Sequence, residues 1–250
     1  MIERGLIINL ARKFDIDEYS VLREYLQLLF LKSLYQIPES TAVFFKGGTA
    51  IHFLLHSFRF SEDLDFTAVI SKKEIKKLLV LAVEKVRLEA PGLESESLSD
   101  ESLSTAYRLK FPTELSIRPL FIRIEISFRE KPLTRKISVI ETEFPIVPYP
   151  MVVHHDFEEI LAEKVRALLT RQQGRDIFDL WFLFSKGVSL NKIFVEGKMR
   201  YYKKEFDIRK LRSVIERMSP QSLKDDLEKF LPKSHRKMIN ELKTMLLNKL

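Results

Sequence analysis

Apolar positions recur at helical spacing over Tyr19–Tyr35, with Leu22, Tyr25, Leu26, Leu29 and Phe30 on one face, and Pro38 stops the pattern. Ala42–Phe45 is a short apolar run of the kind that forms a buried strand, and it ends at Gly47-Gly48. Thr49–Ser57 reads as a helix, and Phe60–Val69 as a second strand. Ser71–Leu88 is helical, with Ser71 as N-cap and Glu74 three residues on, the spacing of a capping box. Thr105–Phe111, Leu120–Arg129 and Lys136–Glu143 alternate like strands. Pro91–Ser104, rich in Ser and Glu, reads as a mobile polar loop.

Three prolines in Pro145–Pro150 make that stretch the expected linker. Beyond Asp156 the spacing is helical: Phe157–Arg171, Ile177–Ser185, Leu190–Lys198, Ile208–Met218, Ser222–Phe230 and a last helix to Leu250. The pattern predicts an α+β N-terminal domain, residues 1–148, and an all-helical C-terminal domain, residues 149–250.

Composition changes this picture in two ways. Cysteine is absent, which excludes disulfides, thiolate metal sites and cysteine nucleophiles and fits a reducing compartment. The net charge of +7 is also unevenly placed: residues 1–150 carry 21 basic and 21 acidic side chains, residues 151–250 carry 21 and 14. A neutral part joined to a basic part fits chemistry in one and a polyanion held by the other, although a lysine-rich solvated helical surface would give the same balance. No signal-peptide core and no apolar run near the ~18 residues of a membrane span are visible, so a cytoplasmic protein without membrane contact is expected.

Candidate chemistry centres on Asp63-Leu64-Asp65-Phe66. Side chains alternate along a strand, so Asp63 and Asp65 share one face, roughly 7 Å apart, while Leu64 and Phe66 face the core. Two such charges repel unless a cation lies between them, and either Arg59 or a divalent ion fits. Lys46-Gly47-Gly48-Thr49 lies between a strand and a helix, where a helix N-terminus offers free N–H groups to phosphate. Its spacing is not that of a Walker A loop. In Ile122–Phe128, Arg123, Glu125 and Ser127 share the polar face, so Glu125 becomes a third carboxylate if this strand lies beside the Asp63 strand. Lys164, Ala167 and Arg171 share a helical face, and Asp176 and Asp179 share another. Asp176 could cap its helix instead, and Arg171 or Arg175 could pair with Asp179.

The ordered set Lys46-Gly47-Gly48-Thr49-Ala50, Arg59-Phe60-Ser61-Glu62-Asp63-Leu64-Asp65-Phe66, Glu125, Lys164-x-x-Ala167-x-x-x-Arg171 and Arg175-Asp176-x-x-Asp179 resembles the AbiEii/AbiGii toxin family, within the DNA polymerase β-like nucleotidyltransferases. The resemblance covers about residues 40–185. It implies a mixed-sheet nucleotidyltransferase domain followed by a helical domain that completes the nucleotide and acceptor site. It further implies transfer of a nucleotidyl group from an NTP to an acceptor, RNA and specifically a tRNA 3′ end, by the toxin of a toxin–antitoxin or phage-defence system with a cognate antitoxin. Asp63, Asp65 and Glu125 would hold Mg²⁺ or Mn²⁺, with Lys164 and Asp179 completing the catalytic set. Lys46, Gly47, Gly48, Thr49, Arg59, Ser61, Arg171 and Asp176 would contact the nucleotide. A non-catalytic RNA- or protein-binding module on a degenerate fold, and transfer to a protein acceptor, are the alternatives.

His52 and His56 lack the H-E-x-x-H pattern and read as helix histidines packing near the sheet. His154-His155 reads as a surface pair at the linker, and Trp181 as core.

Overall fold

A computed structural model describes residues 1–250. The helices are α1 (Arg4–Phe14), α2 (Glu18–Tyr35), α3 (Gly47–Leu55), α4 (Lys72–Glu89), α5 (Phe157–Arg171), α6 (Gly174–Ser185), α7 (Lys192–Tyr201), α8 (Ile208–Arg217), α9 (Pro220–Leu227) and α10 (Leu242–Leu247). The strands are β1 (Val43–Lys46), β2 (Asp63–Ala68), β3 (Glu94–Glu101), β4 (Ser104–Phe111), β5 (Leu120–Ser127), β6 (Lys136–Val139) and β7 (Met151–His154). They form one seven-stranded mixed sheet in the order β3-β4-β5-β2-β1-β7-β6. The β2–β5 and β1–β7 pairs are parallel, and the other four are antiparallel.

Local chemistry explains several boundaries. Ser71 and Glu74 cap α4 reciprocally, as their spacing requires. The α2 helix is buried on almost every side, from Val21 to Leu34, because it lies between the sheet and other helices. Leu64, Phe66, Ile124 and Ile126 from β2 and β5 enter the same core as α2 and α4. Phe45 meets Phe66 across the β1–β2 pair, ring centroids 5.5 Å apart.

Three expectations need correction. Pro91–Ser104 contains β3, a strand paired with β4 along its length and bulged between Ser97 and Ser99. Its side chains are nearly all exposed, so it lacks the apolar alternation that marks a half-buried strand. Glu94 pairs instead with Lys110 at 3.1 Å and Glu96 with Arg108 at 3.0 Å, charges that suit a sheet edge. The C-terminal part is not all helical, because β7 lies beyond residue 148 and inserts between β1 and β6. Helix begins only at Phe157. His154 and His155 are buried rather than on the surface, since β7 is internal to the sheet.

The core runs without interruption from Ile2 to Leu246. The C-terminal segment also returns to the N-terminal one: Phe60 N–H donates to Phe230 O at 2.8 Å, and Lys233 N–H to Asp15 O at 3.2 Å. Residues 1–148 expressed alone would expose the β1 edge and the α2 surface that β7 covers. That fragment is expected to aggregate or show no cooperative melt by circular dichroism, whereas the full chain melts in one transition.

Candidate active site

Strand register brings the acidic positions together. Lys46 of β1 lies opposite Asp65 of β2, and Asp65 lies beside Glu125 of β5. Laterally paired residues share a face, so Lys46, Asp65 and Glu125 form one row across three strands. Asp63 lies two residues along the same face, beside Arg123. Arg123 in turn lies 3.4 Å from Glu125.

This crowding has an electrostatic signature. Burial, together with the Asp63 and Glu125 charges, pushes the Asp65 carboxyl up to about 6. Asp63 is also raised, chiefly by burial. Both shifts mean that the ionised carboxylates are short of compensating positive charge. The donors are all hard oxygens on rigid strands, a set that fits Mg²⁺ or Mn²⁺.

Gly47 opens α3 with φ +78°, and a Cβ there would overlap the Asp65 carboxylate. A Cβ on Gly48 would overlap the Arg59 guanidinium. No side chain caps the α3 N-terminus. Thr49 is buried and its hydroxyl donates to the Asp63 carbonyl, so it secures β2 instead of facing a ligand.

Beside the carboxylate row, α5 and α6 supply a chain of alternating charge. Arg59 is buried and donates to both Asp179 oxygens, Nε at 2.8 Å and Nη2 at 3.0 Å. Lys164 Nζ lies 2.6 Å from Asp179 and 3.2 Å from Asp176. Arg171 then grips Asp176 with two bonds of 2.9 Å. Burial works to raise Asp179, but Arg59 and Lys164 prevail and hold it at about 2. Arg59 is thus a partner of Asp179, not the cation between Asp63 and Asp65. Arg171 pairs with Asp176, and neither it nor Arg175 pairs with Asp179.

A second chain was not foreseen. Lys198 of α7 is buried and lies 3.0 Å from Glu130, 2.8 Å from Glu159 and 3.1 Å from Glu163. Glu163 reaches on to Lys46 at 3.2 Å, and Glu159 to His155 at 3.1 Å. The side chains of His155, Glu159 and Glu163 converge like a metal site, but the Lys198 ammonium already lies against both carboxylates. Burial works against ionisation of Glu159, yet His155 and Lys198 hold it at about 2. Lys46 and Lys198 likewise overcome burial to depress Glu163. The signal in the sequence was Glu159 and Glu163, four apart and so on one face of α5, among the apolar positions Ile160, Leu161 and Ala162.

A cleft of about 160 Å³ opens on this arrangement. It brings together Lys46, Gly47, Asp65, Glu125, Lys164 and Arg171, and adds Arg129, Glu130, Glu163, Arg166 and Tyr202. Gly48, Thr49, Arg59, Ser61, Asp63, Asp176 and Asp179 do not line it. The Ser61 carbonyl accepts from Gln27 Nε2 at 3.1 Å. A larger cavity, about 630 Å³, lies against Phe14, Phe58 and His235 and contains none of the site carboxylates. His52 lines it and lies 3.3 Å from Glu24, while His56 is exposed at the end of α3.

The model of the nucleotidyl transferase AbiEii toxin family, a type IV toxin–antitoxin group, matches residues 29–244. The chain belongs to the AbiEii family. AbiEii proteins are nucleotidyltransferase toxins, and membership implies an NTP substrate and an antitoxin. Solved structures agree on the fold. MenT4, a nucleotidyltransferase toxin from Mycobacterium tuberculosis, is 18% identical, with a TM-score of 0.63 over 99% of this chain and 90% of its own. JHP933 from Helicobacter pylori is 22% identical, with a TM-score of 0.58 over 94% of this chain and 93% of its own. No curated protein matches the chain. No helix is long and apolar enough to cross a membrane.

A carboxylate depressed in the folded state binds fewer protons there than when unfolded, so its stabilisation is complete above its ordinary pKa and lost as pH falls through the folded value. For Glu159 that window runs from 4.5 down to about 2, and for Asp179 from 3.8 down to about 2. The AbiEii chain should therefore lose thermal stability steeply across this range. Glu159→Gln should flatten that acid limb when Tm is measured from pH 7 to pH 2, whatever its Tm at neutral pH. An unchanged slope would remove Glu159 from the account.

Proposed function

We propose that this AbiEii protein uses Mg²⁺ or Mn²⁺ to transfer a nucleotidyl group from an NTP to RNA, at a tRNA 3′ end. The observation that carries the metal reading is the Lys46–Asp65–Glu125 row with Asp63 beside it, whose central carboxyl is raised to about 6 by burial and like charge. Asp63, Asp65 and Glu125 would hold the ion. When bound, it neutralises phosphate charge and makes the α-phosphorus more electrophilic.

The chain's own groups supply the rest. Lys46, Lys164 and Arg171 lie around the cleft with their charges directed by Glu163, Asp179 and Asp176, and so are preorganised for the triphosphate. The acceptor hydroxyl oxygen forms a bond to the α-phosphorus as the bond to the β-phosphate bridging oxygen breaks. Pyrophosphate leaves, and the hydroxyl proton passes to Glu125, whose side chain is 42% exposed and reachable from solvent. Support for an RNA acceptor comes from the basic excess of residues 151–250 and from Arg129, Arg166 and Arg171 at the cleft. Asp63, Asp65, Glu125, Lys164 and Asp179 are the residues assigned to catalysis. Asp179 acts by holding Lys164 and Arg59. Residues 1–148 would carry the carboxylates, and residues 149–250 the acceptor-facing surface.

The test is incubation with each α-labelled NTP, total RNA and Mg²⁺. Label is expected in RNA, and chelation with EDTA should abolish it. Label found only in protein would overturn the acceptor. Asp65→Asn should cut transfer by at least roughly 100-fold. Because the ionised Asp65 is disfavoured in the fold, the same variant should raise Tm in metal-free buffer at pH 7, by roughly 5 °C. Retained transfer would refute the role of Asp65, and a lower Tm would refute the electrostatic account.

A further inference from the structure

The catalytic scheme leaves one wall of the cleft without a task. Phe66 and Tyr202 are its two aromatic residues, and Phe66 is buried in the core. Tyr202 therefore offers the one accessible aromatic ring. It forms the C-cap of α7 and is half-buried. The Arg166 guanidinium lies over this ring, 4.8 Å from its centroid, and Arg166 Nη1 donates to the Tyr202 hydroxyl at 3.3 Å. Tyr201 packs edge-on against it, centroids 5.3 Å apart. These contacts fix the ring's orientation. Arg166 Nε is buried and has no hydrogen-bond partner, an uncommon state for a charged donor.

The cleft holds cations for phosphate and carboxylates for a metal, and Tyr202 is its one accessible aromatic surface. A base bound beside those groups needs a flat apolar surface of this kind. We propose that Tyr202, oriented by Arg166, is the wall against which the base of the incoming NTP stacks while its triphosphate points towards Lys164 and Asp65. The Arg166 guanidinium is also suited to donate to a base or ribose oxygen. Stacking of this kind tolerates any base, so this wall sets affinity more than base identity. The inference rests on the nucleotidyltransferase activity of the family and does not depend on the acceptor.

The test separates base binding from phosphate binding. Kd is measured for a non-hydrolysable NTP and, in parallel, for inorganic triphosphate, both with Mg²⁺ and without acceptor. Tyr202→Ala should weaken NTP binding roughly 5- to 100-fold, the span expected for loss of one base stack, and leave triphosphate binding unchanged. Tyr202→Phe and Tyr202→Trp keep the stack and should remain within about 3-fold of the parent protein. In turnover, Tyr202→Ala should raise KM for NTP with little change in kcat. Equal weakening of NTP and triphosphate would show a general collapse of the cleft and overturn the proposal. So would an unchanged NTP Kd. A rise in KM for RNA alone would assign the wall to the acceptor's terminal base and overturn it for the NTP. These binding measurements read out even if no acceptor is found.

Discussion

The structure depends on buried charges that satisfy one another in alternation. Arg59–Asp179–Lys164–Asp176 is one such chain, closed at its outer end by the half-exposed Arg171, and Lys46–Glu163–Lys198–Glu159 is another, with the His155 ring beside Glu159. The first joins the loop before β2 to α5 and α6, and the second joins β1 to α5 and α7. An isolated buried ion is costly, and removing one partner of a buried pair typically costs about 3–5 kcal/mol. Neither the sheet nor the helices can therefore adopt this arrangement alone. The pairs add less to net stability than to placement: they hold Lys46 and Lys164 at a cleft where mobile lysines would otherwise lose entropy on binding phosphate.

The carboxylate row works in the opposite sense. Around Asp179 and Glu159, cations outweigh burial, and the carboxyls are held at about 2. At Asp65, burial and two neighbouring acids win, and the carboxyl rises to about 6. The same protein thus neutralises the acids that position its cations and leaves Asp63 and Asp65 under-compensated. That contrast distinguishes a charge kept for the fold from one kept for a ligand. Under-compensation makes a local demand for a cation, at a cost to the fold.

What could be read from the sequence was what depends on near neighbours. The alternation of Asp63-Leu64-Asp65-Phe66 set two acids on one face, and the Ser71–Glu74 spacing marked the start of α4. Glu125 was placed correctly because Ile122, Ile124 and Ile126 fix the polar face of its strand, but its adjacency to Asp65 needed the β2–β5 pairing, some 60 residues apart in the chain. Features set by distant partners stayed hidden. Nothing local marks Met151–His154 as a strand, since its neighbours are β1 and β6. Glu94–Glu101 looked like a loop because an edge strand with both faces in solvent has no apolar period. Lys198 looked like one more surface lysine, and only the fold surrounds it with three carboxylates.

The glycine pair has a role in the fold that its sequence neighbours do not show. Gly47 and Gly48 were expected to let the backbone approach phosphate. Each also admits a particular side chain. Gly47 leaves room for the Asp65 carboxylate at the start of α3, and Gly48 leaves room for the Arg59 guanidinium that holds Asp179. The two constraints act in opposite directions along one turn. One brings an acid forward to the cleft, and the other lets a cation pass behind it to the α6 helix. A Cβ at Gly47 would therefore disturb the site acid, and one at Gly48 the charge chain that places Lys164, because Asp179 is shared by Arg59 and Lys164. The strand-to-helix turn is the point at which the repelling acids and the alternating charges meet, and two adjacent residues without side chains are what allow both to fit there.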